Sequence, residues 1–391
     1  MCRHEKIHEY IIFGGTIMDS QYYGKLSIIG MRGCDSFVDR VNQYLHQFRE
    51  GEDAENFIVT ADCPRFGTGE AKGMLHDSMR GHDVYIISDC FNYGETYTMY
   101  GQKVPMSPDD HFADLKRVIG AIGGKARRIS VIMPMLYEGR QHKRSARESL
   151  DCAMSLQELV SMGVSNIITF DAHDARVQNA IPLSGFDSVR TSYQMIKALV
   201  KKESEIDLLD GNTMVISPDE GGLTRCMYYS SVLGLDLGMF YKRRDYTTVV
   251  NGRNPIVAHE YLGNSVEGKN VIVVDDMIAS GDSVFDICYQ LKEKKAAKIF
   301  VFSTFGLFTA GLEKFDSCYK EGLFDRIYTT NLIYRTPELL SREWYCEVNM
   351  CKYVAYIVDT LNRDASTSDL LNPVGRIHAL MDRVKAGEFK K

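Results

Sequence analysis

The chain has 391 residues, a net charge of −6 at pH 7, and apolar and charged fractions of 45% and 25%, as expected of a globular protein with about two domains. The mildly acidic net charge disfavours nucleic acid as a partner. The sequence contains no run of about 18 apolar residues, which is the length that would predict a membrane span. Ten scattered cysteines without a C-x-x-C pair disfavour a zinc knuckle and a disulfide scaffold, and favour reduced thiols in a cytoplasmic protein.

Short apolar runs alternate with helical patterns along the chain, which predicts an α/β fold with mostly parallel sheets flanked by helices. The first 25 residues are predicted to form an extension with its own short strand. The clearest predicted strands are at residues 26–29, 84–88, 129–133, 166–170, 214–217, 271–274 and 299–302, and further strands are predicted at residues 10–13 and 235–240. Residues 91–110, rich in tyrosine, glycine and polar side chains, are predicted to be an inserted loop. Turn residues at 182–185 predict a boundary between two similar domains, residues 26–185 and 186–391.

Three of the predicted strands end directly in charged or polar residues, at the edge where open α/β sheets bind their ligands. Asp171 and His173 follow residues 166–170, and Asp219 follows residues 214–217. His173 between two carboxylates is a candidate metal ligand, and Asp219 can hold a magnesium ion through water. The alternatives are a histidine with an ordinary structural role and an aspartate that caps a turn between a strand and a helix.

The third of these strands, residues 271–274, leads into the most informative segment of the sequence. Two carboxylates, Asp275 and Asp276, are followed by a loop of small residues and then by apolar residues at helical spacing. Backbone N–H groups of such a loop and helix N-terminus bind anions, and the carboxylates can bind sugar hydroxyls or a hydrated metal. The segment therefore predicts a site for a phosphorylated sugar. The loop residues are Ala279, Ser280, Gly281, Asp282 and Ser283.

Two cationic segments are candidates for contacts with phosphate groups. No G-x-x-x-x-G-K-[ST] or G-x-G-x-x-G loop occurs, so a nucleotide must be bound in another way. The loop after residues 129–133 has a charge density that suits a polyphosphate. Its polar members are Arg140, Gln141, His142, Lys143, Arg144 and Arg147. Three consecutive cations at residues 242–244 follow a predicted strand and suit a phosphoryl group in transfer. For both segments the alternative is a solvated basic turn.

A turn at residues 65–70 adds a candidate site for a nucleobase, because Phe66 can stack on a base and Glu70 can accept from an exocyclic amine. This turn, residues 79–83 and the motifs above occur in the order and spacing of the ribose-phosphate pyrophosphokinases. The sequence resembles that family from about Leu26 to about Asn372. The resemblance implies two type I phosphoribosyltransferase-like domains.

The resemblance also implies an activity, the transfer of the diphosphoryl group of ATP to the anomeric hydroxyl of ribose 5-phosphate with magnesium, which gives 5-phosphoribosyl 1-diphosphate and AMP. It implies a homo-oligomer in which Phe66 and Glu70 reach the adenine bound to a neighbouring subunit. The implied ATP contacts are Phe66, Thr68, Glu70, Arg140, Gln141 and His142. The implied ribose 5-phosphate contacts are Asp275 and Asp276 at the hydroxyls, and Ala279, Ser280, Gly281, Asp282 and Ser283 at the phosphate. The implied magnesium ligands are His173 and Asp219, and the implied catalytic residues are Lys242 and Arg244.

Several residues depart from the pattern of that family. Ala279 stands where an aspartate is usual. Asp282 replaces a glycine and brings negative charge to the predicted phosphate loop, which is unfavourable unless the carboxylate points away. The other departures are Thr68, His142, Phe305, the first 25 residues and residues 91–110.

Two alternative functions remain open beside the synthesis of phosphoribosyl diphosphate. One is a type I phosphoribosyltransferase, which would share the acidic strand and sugar-phosphate loop. The cationic loop, the pair His173 and Asp219, and the duplicated domain disfavour it, because a transferase needs none of them. The other is a non-catalytic homologue that binds and regulates an active partner, which the altered loop residues favour and the retention of Lys242 and Arg244 disfavours.

Overall fold

The structure is a computed structural model, and it describes residues 22–49, 56–206, 208–244 and 256–389. The predicted strand at residues 10–13, like most of the predicted extension, lies outside the described residues. For residues 242–244 and 256–259 the description is limited to the backbone.

The first domain is a parallel sheet flanked by helices, with two small two-stranded additions. Its strands are β1 (Lys25–Gly30), β2 (Ala61–Asp62), β3 (Met74–Leu75), β4 (His82–Ile87), β5 (Thr96–Met99), β6 (Gln102–Pro105), β7 (Arg128–Ile132), β8 (Asn166–Phe170) and β9 (Gly185–Val189). Its helices are α1 (Asp35–Phe48), α2 (Pro108–Ile122), α3 (Asp151–Ser161) and a 3-10 helix at Ala175–Ala180. The main sheet has the order β1-β4-β7-β8-β9, and all of its neighbouring strands are parallel.

The second domain contains a larger sheet, which is parallel except at one edge. Its strands are β10 (Thr213–Ser217), β11 (Asp236–Arg244), β12 (Ile256–Leu262), β13 (Asn270–Ile278), β14 (Lys298–Gly306), β15 (Arg326–Thr330) and β16 (Tyr345–Val348). Its helices are α4 (Ser192–Lys202), α5 (Leu223–Leu233), α6 (Asp282–Glu293), α7 (Glu313–Lys320), α8 (Pro337–Leu340), α9 (Cys351–Asn362), α10 (Ser368–Leu371) and α11 (Val374–Lys385). The order is β12-β11-β10-β13-β14-β15-β16, with β12 antiparallel to β11.

These two sheets confirm the predicted α/β fold, because the apolar runs form strands that are buried on both faces. Two local predictions were wrong. Residues 91–110 are not simply a loop, since β5 and β6 pair there as an antiparallel hairpin. Residues 242–244 do not follow a strand but lie within β11, which is extended through Arg244 by its pairing with β12. The strand β9 pairs with β8 and so continues the first sheet past residue 185, while the domain boundary itself stays a prediction.

The helix α2 illustrates how the sequence sets the ends of an element. Ser107 accepts a hydrogen bond from the backbone N–H of Asp110 at 3.1 Å, and the Asp110 carboxylate accepts from the Ser107 N–H at 2.9 Å. This reciprocal cap, with Pro108 in the first turn, starts the helix directly after the hairpin. Gly123 ends it in the left-handed conformation, with φ of +61°.

The helix α9 joins the two domains, because it follows the last strand of the second sheet but packs on α1 of the first domain. Val354 and Val358 of α9 are buried in the same apolar core as Val41 of α1. The rings of Phe48 and Tyr356 stack across this contact at 4.2 Å between centroids. Part of the core of the first domain is therefore supplied by the end of the chain.

A buried polar network fixes the carboxyl end of α9 to the first sheet. Asp83 of β4 is fully buried and accepts two hydrogen bonds from the guanidinium of Arg128, at 2.8 and 2.7 Å. The same carboxylate accepts from Tyr85 at 2.9 Å and from Asn362 of α9 at 2.9 Å. Arg128 also donates to the carbonyl of Leu361 at 2.6 Å. The pairing of these charges compensates for the cost of removing them from water.

Candidate active site

A cavity of about 120 Å³ lies between the two sheets, at the carboxyl ends of their strands. The first domain contributes Arg140 from the loop after β7 and His173 from the loop after β8. The second domain contributes Asp276 and Met277 of β13 and Phe305 of β14. The structure therefore brings together residues that are far apart in the sequence, at the edge predicted to bind ligands.

Of the acidic pair of β13, Asp276 lines this cavity, while Asp275 precedes it on the strand and is not among the lining residues. Asp276 as a whole is 4% exposed, and its carboxylate accepts a hydrogen bond from His173 Nδ1 at 2.7 Å and lies 3.9 Å from Nη1 of Arg225. Burial favours its neutral form, but the hydrogen bond from His173 and the charge of Arg225 hold the pKa of Asp276 below its usual range. For Asp275, burial and the neighbouring Asp276 raise the pKa of the carboxyl well above its usual range. Two adjacent carboxyl groups of this kind suit a pair of hydroxyls.

Two further residues belong to the site. Arg225 was not predicted from the sequence, and Asp171 was noted there only as a neighbour of His173. Arg225 lies near the start of α5 and faces the carboxylates of β13, so it balances part of their charge. Asp171 has a φ of +38° and accepts from the hydroxyls of Thr191 and Thr304, each at 2.6 Å. These contacts explain the strained backbone and fix the direction in which the chain enters the His173 loop. The sequence did contain a signal for Arg225, because this residue is a cation in the first turn of the helix that follows the Asp219 motif.

His173 and Asp219, the implied magnesium ligands, each use one polar atom inside the protein. The hydrogen bond to Asp276 raises the pKa of His173 despite partial burial. Asp219 Oδ1 accepts from the backbone N–H of Gly222 at 3.0 Å, so Asp219 does cap its turn. His173 Nε2 and Asp219 Oδ2 make no hydrogen bond with any described residue. Among the residues that the structure describes, no group of three or more histidine, cysteine or acidic side chains is arranged to hold a metal ion.

The cationic loop after β7 presents its residues in different directions. Arg140 is exposed and lines the cavity. Gln141 donates from Nε2 to the carbonyl of Ser149 at 2.9 Å, which closes the loop on itself. The ring of His142 lies 5.3 Å from that of His173, and its Nδ1 is buried without a hydrogen-bond partner. Arg140 is therefore the loop residue best placed to meet a ligand in the cavity.

The sugar-phosphate loop has the predicted order of strand, loop and helix, with α6 beginning at Asp282. Gly281 has a φ of +93°, and an added Cβ would lie 2.3 Å from Cζ of Phe315, so the position accepts only glycine. The first backbone N–H groups of α6 have no partner within the helix. That of Asp282 donates to Ser280 Oγ at 3.4 Å, and those that follow it can meet an anion. The carboxylate of Asp282 accepts from Ser280 Oγ at 2.8 Å and from Lys314 Nζ at 3.0 Å. Lys314 lowers the pKa of Asp282, so this carboxylate is charged.

The other predicted site residues lie outside the cavity, and its lining also lacks Asp219, Asp275, Gln141, His142 and residues 279–283. Phe66 is 57% exposed, and Thr68 donates from its hydroxyl to Glu70 at 2.8 Å. None of the three is among the described residues that line the cavity with Arg140. Lys242 and Arg244 are placed by their backbone, because β10 ends opposite Met239 and β11 continues for five residues beyond it. They therefore lie past the carboxyl edge of β10, on the side of the cleft.

Two mostly parallel sheets that meet at the carboxyl ends of their strands, with an acidic strand and a glycine-containing loop at a helix N-terminus, are typical of phosphoribosyltransferase-type proteins. A family model described as the N-terminal domain of ribose phosphate pyrophosphokinase matches residues 26–163, and a phosphoribosyl transferase domain matches residues 186–314. The chain belongs to the ribose-phosphate pyrophosphokinase family, as a divergent member.

Individual relatives show how far the chain has diverged. It is 25% identical to the ribose-phosphate pyrophosphokinase of Vibrio parahaemolyticus over 80% of this chain and 91% of that protein. It is 28% identical to that of Mycoplasma genitalium over 69% and 74% of the two chains. The crystal structure of phosphoribosylpyrophosphate synthetase from Mycobacterium smegmatis matches the fold with a TM-score of 0.70 at 19% identity, over 87% of this chain and all of that one. None of the helices in the described part of the chain has the length and apolar character of a membrane span.

Proposed function

We propose that the protein transfers the diphosphoryl group of ATP to the anomeric hydroxyl of ribose 5-phosphate. The observation that carries this proposal is the shared cavity, in which Arg140 of the first domain lies with His173 and Asp276. A phosphoribosyltransferase requires the acidic strand and its loop but has no need of a cation from the other domain. The proposal therefore uses both halves of the chain.

In this proposal the ribose 5-phosphate lies along β13. Asp275 and Asp276 each bind a ribose hydroxyl through the carboxyl group. The amides of Ala279, Ser280, Gly281, Asp282 and Ser283, with the two serine hydroxyls, bind the 5-phosphate at the start of α6. The sugar is then fixed at both ends, which holds its anomeric hydroxyl in one position.

ATP is proposed to bind across the cleft from the sugar. Arg140, Gln141 and His142 contact its phosphates, and a second copy of the chain supplies Phe66, Thr68 and Glu70 to the adenine. Because these three lie outside the cavity of their own chain, the complete site requires a homo-oligomer. Lys242 and Arg244, past the edge of β10, neutralise charge on the group in transfer.

Magnesium fits the donor atoms that remain available in the cleft. His173 Nε2 and Asp219 Oδ2 have no partner among the described residues, and the two groups follow the carboxyl ends of β8 in the first sheet and β10 in the second. Magnesium is usually held by one or two protein groups together with substrate phosphates and water, so two such donors are sufficient. When bound, the ion offsets negative charge on the phosphates of ATP.

The test is direct. Purified protein given ATP, ribose 5-phosphate and MgCl2 should form AMP and 5-phosphoribosyl 1-diphosphate in equal amounts, measured by ion-exchange chromatography. Lys242→Ala should lower kcat about a hundredfold or more, the scale of one lost charge-stabilising donor, while ATP binding measured by calorimetry is kept. Binding of ribose 5-phosphate without any AMP would support the regulatory alternative. Release of diphosphate from phosphoribosyl diphosphate and a free base would support the transferase.

The departure at Asp282 predicts a gain of affinity. Asp282→Asn removes a charged carboxylate from the proposed phosphate loop and keeps an oxygen that can accept from Ser280. The KM for ribose 5-phosphate should fall about threefold to tenfold at low salt, and the effect should shrink at high salt. Asp369→Asn, an exposed aspartate in the first turn of α10, is the matched control and should leave this KM unchanged. An unchanged KM for Asp282→Asn would place the phosphate elsewhere.

A further inference from the structure

The hairpin of β5 and β6 has an unusual turn. Its two central residues, Tyr100 and Gly101, have φ values of +49° and +76°. Positive φ at both positions is the mark of a type I′ turn, in which asparagine followed by glycine is preferred. A bulky aromatic residue is strained there, and the Tyr100 side chain is 78% exposed, so no packing in the described structure compensates for the strain. Strain of this kind is typical of residues that serve a ligand.

The hairpin packs directly on the Phe66 turn. The backbone N–H of Tyr100 donates to the carbonyl of Gly67 at 2.8 Å. Gly69 has a φ of +94°, and a Cβ at this position would lie 2.9 Å from the sulfur of Met99. The guanidinium of Arg65 lies over the ring of Tyr97 at 4.6 Å. These contacts make the turn and the hairpin one unit.

This unit presents two large aromatic side chains to the solvent. Phe66 is 57% exposed and Tyr100 is 78% exposed, and neither ring stacks on another aromatic ring among the described residues. Glu70 lies on the same turn as Phe66 and is a hydrogen-bond acceptor. Two flat apolar surfaces with an acceptor beside them suit a planar base that carries an exocyclic amine.

We propose that Tyr100 is a second aromatic contact for the purine base of the nucleotide, added to Phe66 by the hairpin. The inference rests on the proposed function and extends it to residues 96–105, which the family pattern does not contain. The base belongs to a nucleotide bound in the cleft of a second copy, because the lining of the cavity with Arg140 includes neither Phe66 nor Tyr100. Tyr100 then positions the nucleotide and takes no part in the transfer.

Tyr100→Asn separates this role from a structural one. Asparagine is the residue that the turn prefers, so the variant should unfold at a higher temperature than the wild type. Loss of a stacking ring should raise the KM for ATP about tenfold, with kcat and the KM for ribose 5-phosphate little changed. Tyr100→Phe should recover most of the ATP affinity. Thr98→Ala, at an exposed position on the same hairpin, is the control and should leave the KM for ATP unchanged. A more stable Tyr100→Asn with the wild-type KM for ATP overturns the inference.

A binding measurement distinguishes this inference from the proposed function. Calorimetric titration with β,γ-methylene-ATP and MgCl2, without ribose 5-phosphate, reports nucleotide affinity whether or not turnover occurs. If the wild type forms no AMP but Tyr100→Asn still binds the nucleotide about tenfold more weakly, the proposed function fails and the inference survives. If the wild type is active and both proteins bind the nucleotide equally, the inference alone fails. If the wild type does not bind the nucleotide, both fail.

Co-expression of two defective variants tests whether the aromatic pair serves a second copy. One carries Asp276→Ala, which damages the cleft, and the other carries Phe66→Ala with Tyr100→Asn. Mixed oligomers should contain some sites with an intact cleft from one copy and an intact aromatic pair from another, so activity at low ATP should exceed that of either variant alone. No gain on mixing, with hetero-oligomers verified by tandem affinity tags, would place the aromatic pair in the site of its own chain and overturn this arrangement.

Discussion

Arg128→Ala should lower the free energy of unfolding by about 3–5 kcal/mol, measured by urea denaturation. The guanidinium supplies two of the hydrogen bonds to the buried carboxylate of Asp83 and one to the carbonyl of Leu361. Its removal leaves a negative charge buried at the junction of β4 and α9 with the neutral groups of Tyr85 and Asn362 as its remaining partners. An uncompensated buried charge is among the most destabilising changes a single substitution can make.

Arg127→Ala is the matched control for this prediction. Arg127 is the adjacent cation, is exposed, and lies over the ring of Tyr23 at 4.6 Å, as Arg128 does at 4.1 Å. Its replacement loses a surface cation–π contact but no buried hydrogen bond, so the loss should stay near or below about 1 kcal/mol. Equal losses for the two variants would show that the contact with Tyr23, and not the Asp83 network, stabilises this region.

Asp276→Ala should lower kcat/KM for ribose 5-phosphate about a thousandfold. Removal of the carboxylate eliminates a charged acceptor for a sugar hydroxyl, and hydrogen bonds to charged groups contribute about 1.5–3 kcal/mol each. It also releases His173, whose Nδ1 donates to Asp276 at 2.7 Å, and leaves Arg225 without its nearest carboxylate. Binding and positioning are therefore lost together, and their effects multiply.

The loss at Asp276 is measured from initial rates of AMP formation, with circular dichroism to verify folding. Asp236→Asn is the control, since Asp236 lies at the opposite end of the same sheet and pairs with Lys269 at 3.1 Å. It should retain activity within about twofold, as expected of an exposed ion pair. A folded Asp276→Ala protein with near-normal kcat/KM would remove this carboxylate from the proposed sugar site.

The sequence predicted most strands of the two main sheets, because buried parallel strands appear in a sequence as short continuous apolar runs. Two of the groups predicted at strand ends, His173 and Asp276, line the cavity because the strands of the two sheets end at this edge, while the roles of the predicted site residues stay predictions. The sequence did not predict the hairpin at residues 96–105, because its strands have only four residues each, none of them fully buried, and lie among the glycine, tyrosine and polar residues typical of a loop. The role of Arg225 was also missed, since its partner Asp276 is 51 residues away in the chain and only the fold brings them together.

The extent of β11 was mispredicted for a similar reason. Three consecutive cations look like a turn, but pairing with β12 supplies hydrogen bonds that the local sequence does not indicate. Asp219 was given two possible roles. Its hydrogen bond from the Gly222 N–H closes the turn before α5, whose own N-cap is Gly222, and the role at a metal stays a prediction. The local sequence therefore indicates which side chains are available for a site, whereas pairing between distant segments determines which of them come into contact.

The packing of α9 on α1 has a consequence for the synthesis of the protein. The first 190 residues leave the ribosome with a complete sheet sequence, but the helix that covers Val41 and Leu45 of α1 is made from residues 351–362. During synthesis, the apolar face of α1 therefore stays uncovered until residues 351–362 have emerged from the ribosome. Division of the gene at the predicted boundary would separate α1 from its cover, so the two similar halves are interdependent in folding.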